Sequence, residues 1–185
     1  MNKWDEIWKN RVVDMKDVNE DAFETFCRLK SADGFDTQDV GGLDYSKPLI
    51  DLAKSVLKTT DLKCDEALHV AAEPKYDIVL ADSVFQYFLD EDYGKQVLKK
   101  MWEKANKMVV ITEIHDQSKK EEHLNYRRQC VENYDEKYAG LDKTFYRKEV
   151  FEQFAEQVGA KCVVVEPDND MYWNNRFVFD CYLYR

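Results

Sequence analysis

Asp44 closes the run Val40-Gly41-Gly42-Leu43-Asp44-Tyr45-Ser46, an apolar segment that ends in a carboxylate and passes into a helix signal. In a doubly wound α/β protein this puts the carboxylate at the carboxyl end of a parallel strand, where it can accept hydrogen bonds from both hydroxyls of a ribose. A nucleotide-like ligand is the implied chemistry. A plain helix-entry role beside Ser46 competes with it, but the preceding Gly-Gly and the order of the later motifs favour ligand binding. His115 stands between Glu113 and Asp116. An imidazole with an ordinary pKa near ~6.5 can take a proton from a hydroxyl, and neighbouring carboxylates can orient it. A loop histidine without chemistry, flanked by solvated acids, fits the same residues. Arg127 and Arg128 supply guanidinium forks suited to a phosphate-like or carboxylate ligand, although Glu121, Glu122 and Glu132 nearby also suit an exposed helix face. Tyr126, Tyr134, Tyr138 and Tyr146 suit an acceptor pocket or the packing of a lid.

These residues need a frame, and the hydrophobic pattern supplies one. The spacing of Trp4, Ile7, Trp8, Phe23, Phe26 and Leu29 predicts two N-terminal helices within residues 1–38. A strand follows at Val40–Leu43, then a helix capped by Ser46, with Pro48 near its first turn and Leu49, Leu52, Ala53, Val56 and Leu57 on one face. A short strand is expected at Leu62–Cys64, and the continuous apolar run Tyr76–Ala81 suits a strand covered on both faces. An amphipathic helix over Tyr93–Asn106 leads to the strand Met108–Thr112. The charged, Tyr-rich residues 117–139 break this rhythm and read as a helical lid over the carboxyl edge of the sheet. Thr144–Val158 predicts a helix stopped by Gly159, and Lys161–Val165 and Arg176–Tyr184 predict a final antiparallel pair. The fold class is therefore α/β: a single domain with a Rossmann-like open sheet, mostly parallel with an antiparallel final strand, and helices on both faces.

Composition narrows the partners. Twenty-seven basic against 37 acidic side chains leave a net charge of −10, which argues against nucleic acid and for a small ligand. Five cysteines, odd in number and without a C-x-x-C pair, suggest neither a disulfide framework nor a metal site, so they read as reduced, mostly buried thiols, with Cys64 and Cys181 in strands of the core. With no leader and no apolar run of membrane-spanning length, a soluble cytoplasmic protein is expected, with no membrane partner.

In their order, Gly42-Leu43-Asp44-Tyr45-Ser46, Cys64-Asp65-Glu66-Ala67, Tyr76-Asp77-Ile78-Val79-Leu80-Ala81-Asp82-Ser83-Val84-Phe85-Gln86-Tyr87-Phe88 and the terminal strand pair resemble the class I S-adenosylmethionine (SAM)-dependent methyltransferases over Val40–Arg185. More narrowly, Glu113-Ile114-His115-Asp116, Tyr126-Arg127-Arg128 and Gly140–Tyr146 look like small methyltransferases of bacterial capsular-polysaccharide loci, including those linked to O-methyl phosphoramidate. The resemblance implies SAM as cofactor and a small-molecule or saccharide acceptor. It assigns the ribose to Asp44, the adenine to Tyr45, Glu66 and Ala67, and the methionine part to Asp82 and Ser83. Phe85, Gln86, Tyr87, Arg127 and Arg128 would face the acceptor, and His115 would be its base.

One departure is large. The first strand and its acidic-x-Gly-x-Gly turn, roughly forty residues of strand, turn and helix in such a unit, are not found ahead of Val40. Three explanations stand open: a segment that belongs to the molecule but not to these 185 residues, a deletion, or a sheet remodelled around the N-terminal segment. The intact flanks favour the first, with an interruption of the chain expected near Gln38 and Asp39. Two rival functions follow, a methyltransferase-like binding protein without catalysis and a dinucleotide oxidoreductase, which would also use an acid like Asp44.

Overall fold

The computed structural model describes residues 40–56, 61–167 and 172–185. The expected N-terminal helices and the junction near Gln38 and Asp39 lie outside the described residues. The chain divides into two compact units between Val70 and Ala71.

In the first unit β1 (Gly42–Asp44) pairs in parallel with β2 (Leu62–Cys64), Gly42 opposite Leu62 and Asp44 opposite Cys64. Parallel neighbours need a crossover, and helix α1 (Lys47–Val56) supplies it. Pro48 lies in its first turn, where a missing N–H costs no helical hydrogen bond. The Ser46 carbonyl accepts from Ile50 N at 3.1 Å, but the buried Ser46 hydroxyl makes no hydrogen bond among the described residues. The side-chain cap expected of Ser46 is therefore not made. Instead the Asp44 carboxylate accepts from Ser46 N at 2.7 Å.

The second unit holds a four-stranded sheet in the order β3-β4-β6-β5. Strands β3 (Tyr76–Asp82) and β4 (Ala105–His115) run parallel, while β6 (Val178–Tyr184) is antiparallel to both β4 and β5 (Lys161–Val165). Helix α2 (Glu91–Lys104) makes the β3-to-β4 crossover and is capped by the Asp90 carboxylate, which accepts from Tyr93 N at 2.8 Å. Residues 117–139 carry a 3-10 turn at Gln117–Lys119, α3 (Lys120–Cys130) and a short α4 (Tyr134–Lys137). Helix α5 (Lys148–Val158) ends at Gly159, whose φ of 69° is the left-handed cap that glycine adopts without strain. No helix among the described residues is long and apolar enough to cross a membrane.

The core follows β4, whose Val109, Val110, Ile111 and Ile114 are fully buried, with Leu98 of α2, Phe151 of α5 and Phe179, Cys181 and Leu183 of β6. Three expectations need correction. Strand β3 is not covered on both faces: none of its residues is fully buried, and Leu80 is 37% exposed. Cys64 is exposed at the end of an edge strand, and among the described cysteines Cys181 alone is buried. The last helix starts at Lys148 rather than Thr144, because the residues before it find backbone partners elsewhere. Thr144 N donates to Gln86 O at 2.9 Å, Tyr146 N to His115 O at 2.8 Å, and Gln117 N to Tyr146 O at 2.8 Å. This extended segment crosses the ends of β3 and β4.

Tyr146 locks the crossing. Its ring is fully buried and its hydroxyl donates to Phe85 O at 3.0 Å. A Cβ on Gly94 of α2 would lie 2.6 Å from that hydroxyl oxygen. Gly94→Ala is therefore expected to destabilise the protein by about 1–3 kcal/mol, outweighing the ~1 kcal/mol that alanine gains in an ordinary helix. Urea unfolding checks this, and a variant as stable as the parent would contradict it.

Candidate functional site

The ends of β3 and β4 carry the most unusual backbone in the second unit. Asp82 pairs with Thr112, and in the next position on each strand Ser83 and Glu113 both adopt left-handed backbone, φ 53° and 56°. Left-handed non-glycine residues cost about 1–3 kcal/mol each and persist where the surroundings fix them. The fixing groups are visible. Between Ile111 and Ile114 the β4–β6 register slips by one residue, a bulge that leaves Glu113 without a ladder partner. The Asp180 carboxylate accepts the freed Glu113 N–H at 2.9 Å, and the hydroxyls of Ser83 and Tyr172 both donate to Glu113 Oε2.

Electrostatics follow from that packing. Burial raises the Glu113 pKa, with the nearby charges of Asp82 and Asp180 adding to it against the hydrogen bonds from Ser83 and Tyr172. Asp180 is pushed up to about 6, chiefly by burial. Carboxylates crowded in a partly dry site favour a cation beside them.

The crossing segment brings a second group of side chains to the same strand ends. Lys143, next to Thr144, places Nζ over the Tyr87 ring, 5.2 Å from its centre. Burial, followed by the charge of Arg127, lowers its pKa to about 8. Arg127 of α3 lies over Trp173 at 5.1 Å and Tyr134 at 5.5 Å. The His115 and His123 rings pack tilted at 54° with centres 4.8 Å apart, both against Phe145. All four of their ring nitrogens are buried without a hydrogen-bond partner among the described residues, as are Gln86 Oε1 and Asn174 Oδ1. Buried polar atoms are normally satisfied. Here the unsatisfied ones of the second unit all belong to elements meeting at one sheet edge.

The residues singled out in the sequence divide accordingly. Asp82 ends β3, Ser83, Gln86 and Tyr87 follow it, His115 ends β4, and Arg127 lies on α3 over Trp173. Phe85 does not face a ligand: it is fully buried against Phe88, Tyr146 and Phe151. Arg128 is exposed and paired with Asp135, Nε to Oδ2 at 3.0 Å, so the two arginines have different environments. Asp116 does not orient His115; its carboxylate caps the 3-10 turn through Ser118 and lies 3.6 Å from Lys148 Nζ. His115 is the last residue of β4, not a loop residue. Burial, and then the charges of Lys143, His123 and Arg127, push its pKa down to about 2, which makes it a neutral hydrogen-bonding ring and a weak base. In the first unit Asp44 is half-buried, and desolvation raises its pKa despite the Ser46 amide. Tyr45 and Glu66 are exposed, and Ala67 opens a 3-10 turn. Sequence reasoning missed Lys143, His123, Tyr172 and Asp180, which no local motif marks and which tertiary packing alone brings to the site.

No family model matches the chain, and no curated protein sequence does. Solved structures do match its fold. The magnesium protoporphyrin IX methyltransferase of Synechocystis PCC 6803 with bound SAH superposes with a TM-score of 0.61 at 12% identity, over 98% of this chain and 91% of that one. The plantazolicin methyltransferase BpumL, in complex with a triazolic desmethylPZN analog and SAH, gives 0.60 at 12% identity, over 88% and 72%. A SAM-dependent methyltransferase from Archaeoglobus fulgidus gives 0.56 at 13% identity, over 88% and 81%. The fold is thus the Rossmann-like α/β fold of SAM-dependent methyltransferases, its sheet mixed by antiparallel strands.

The buried histidines carry a pH signature. A ring whose folded-state pKa lies near 2 takes up a proton on unfolding below the unfolded value of 6.5, so its contribution to stability is complete above that pH and falls as the solution is acidified. The loss is at most about 1.4 kcal/mol per pH unit for one ring. Urea unfolding between pH 7 and pH 5 should show the parent losing stability faster than His115→Phe by roughly that slope. Parallel losses would contradict the burial of a neutral ring.

Proposed function

We propose that the protein is a SAM-dependent methyltransferase that methylates an oxygen of a small-molecule or saccharide acceptor. The observation that carries this reading is the Ser83–Glu113 pair, strained backbone and partly dry carboxylates at the strand ends of a methyltransferase fold. The residues present suit the cofactor. In the first unit Asp44 spends one oxygen on the Ser46 amide, and its carboxylate makes no other bond among the described residues, while the Ser46 hydroxyl beside it is unsatisfied. Such groups suit the hydroxyls of a ribose. By the same resemblance Tyr45, Glu66 and Ala67 meet the adenine, and Asp82 and Ser83 the methionine part.

When bound, SAM supplies both the electrophilic methyl group and the leaving sulfur, so the protein's task is alignment and exclusion of water. Glu113, Asp82 and Asp180 provide negative charge suited to a sulfonium or an ammonium. His115, neutral at working pH, accepts a hydrogen bond from the acceptor hydroxyl and orients it, with Gln86 and Tyr87 on the same edge. Helices α3 and α4 act as the lid. The narrower resemblance to enzymes of capsular loci makes a saccharide or phosphoramidate acceptor our preferred class.

A second reading, a binding protein without turnover, draws on the sequence, in which no acidic-x-Gly-x-Gly turn stands ahead of Val40. Calorimetry separates the readings in stages. The parent is expected to bind SAH and not NAD, and Asp44→Ala to weaken SAH binding by about 1–3 kcal/mol, the cost of leaving buried hydrogen-bonding groups unpaired. Undiminished binding would remove Asp44 from the site, and NAD binding would favour an oxidoreductase.

A further inference from the structure

The chain has 37 acidic residues against 27 basic ones, and many of its cations face a carboxylate. Lys47, Lys95, Lys107, Arg128 and Lys148 all do so. Lys143 and Arg127 belong to a second group, with Lys120, Arg176 and Arg185, that lie over aromatic rings, and these two adjoin the buried histidines. Both are only partly exposed, and neither forms an ion pair among the described residues; each lies instead over aromatic rings, Tyr87 for Lys143 and Trp173 for Arg127. Two cations brought together in a partly dry site are unfavourable unless counter-charge balances them, and the acid whose charge reaches Lys143 is Glu113, which makes no ion pair with it. Beside them stand the unsatisfied nitrogens of His115 and His123, 0% and 1% exposed, and a ring chain links the groups. His115 packs 5.0 Å from Phe145, two residues after Lys143, and His123 lies 6.1 Å from Trp173, the ring under Arg127.

We propose that the methyl acceptor carries an oxyanion, a phosphate-type group or a carboxylate, which Lys143 and Arg127 bind and to which the buried histidines donate hydrogen bonds. Lys143 provides a compact ammonium and Arg127 a planar fork, and the aromatic rings hold both side chains extended before the ligand arrives. Each neutral imidazole has one N–H to give, and giving it removes one unsatisfied group per ring. Glu113 marks the boundary on the other side, where carboxylates repel an anion and so keep it at the Lys143 end of the site. The anion site stands on side-chain geometry alone; that its occupant is the acceptor rests on the methyl-transfer reading.

Calorimetry on the full chain at constant ionic strength tests this with inorganic phosphate, then acetate, as probes. The parent and Lys99→Gln, a change on the exposed face of α2, are expected to bind one probe saturably with equal affinity. Lys143→Met and Arg127→Met should each weaken it at least tenfold, and Lys143→Arg should recover most of the loss, which excludes misfolding as the cause. Stronger binding of phosphate than acetate assigns a phosphate-type group, and the reverse a carboxylate. Failure of both probes to saturate the parent, or unchanged affinity in Lys143→Met, overturns the proposal. SAH titrated into the same samples keeps the two readings apart: a parent that binds phosphate but not SAH supports the oxyanion site and sinks the methyl-transfer reading alone.

Discussion

One extra residue in β4 sets the geometry of the second unit's functional edge. The bulge between Ile111 and Ile114 lifts Glu113 out of the strand ladder and obliges another group to satisfy its amide, which Asp180 does. Glu113 in turn collects the hydroxyls of Ser83 from β3 and Tyr172 from the segment before β6. Three chain segments are thus tied at one carboxylate. The cost is two left-handed residues, and it is offset by hydrogen bonds that a regular strand end would not make.

Beyond the bulge, charge is sorted rather than mixed. The charge of Asp82 raises the proton affinity of Glu113 and Asp180, and that of Asp180 adds to it at Glu113, whereas Lys143 and Arg127 are close enough to lower that of the histidines. An acidic side suits a sulfonium and a basic side suits an anionic acceptor. The neutral rings of His115 and His123 belong with the basic side, and burial keeps them uncharged across the physiological range. The crossing segment Leu141–Tyr146 makes this sorting possible, because it takes its hydrogen bonds from Gln86, Phe88 and His115 and so sets Lys143 beside the ends of β3 and β4.

Much of the frame was legible in the residues. Strands β2 and β5 fall where hydrophobic runs place them, β6 is antiparallel as the missing helix before it requires, and Gly159 ends its helix. Local pattern failed where tertiary pairing decided the outcome. Thr144–Arg147 has a helical spacing but takes backbone partners from β4 and the turn after β3. His115 reads as a loop base because nothing local reveals that β4 continues to it and that His123, eight residues on, returns to cover it. Arg127 and Arg128 are indistinguishable in sequence and separate only when α3 shows which one faces Trp173. The first strand and Gly-rich turn that the resemblance implies are not among the described residues.

The claim that the bulge builds a carboxylate seat for a cationic cofactor is tested most directly by calorimetry of SAM and SAH on the parent and on Glu113→Gln. The two ligands share every group except the methyl that makes the sulfur a cation. Removing one buried charge should therefore weaken SAM by about tenfold and SAH by distinctly less. Equal losses for both ligands, or no loss for either, would contradict a site organised around that charge.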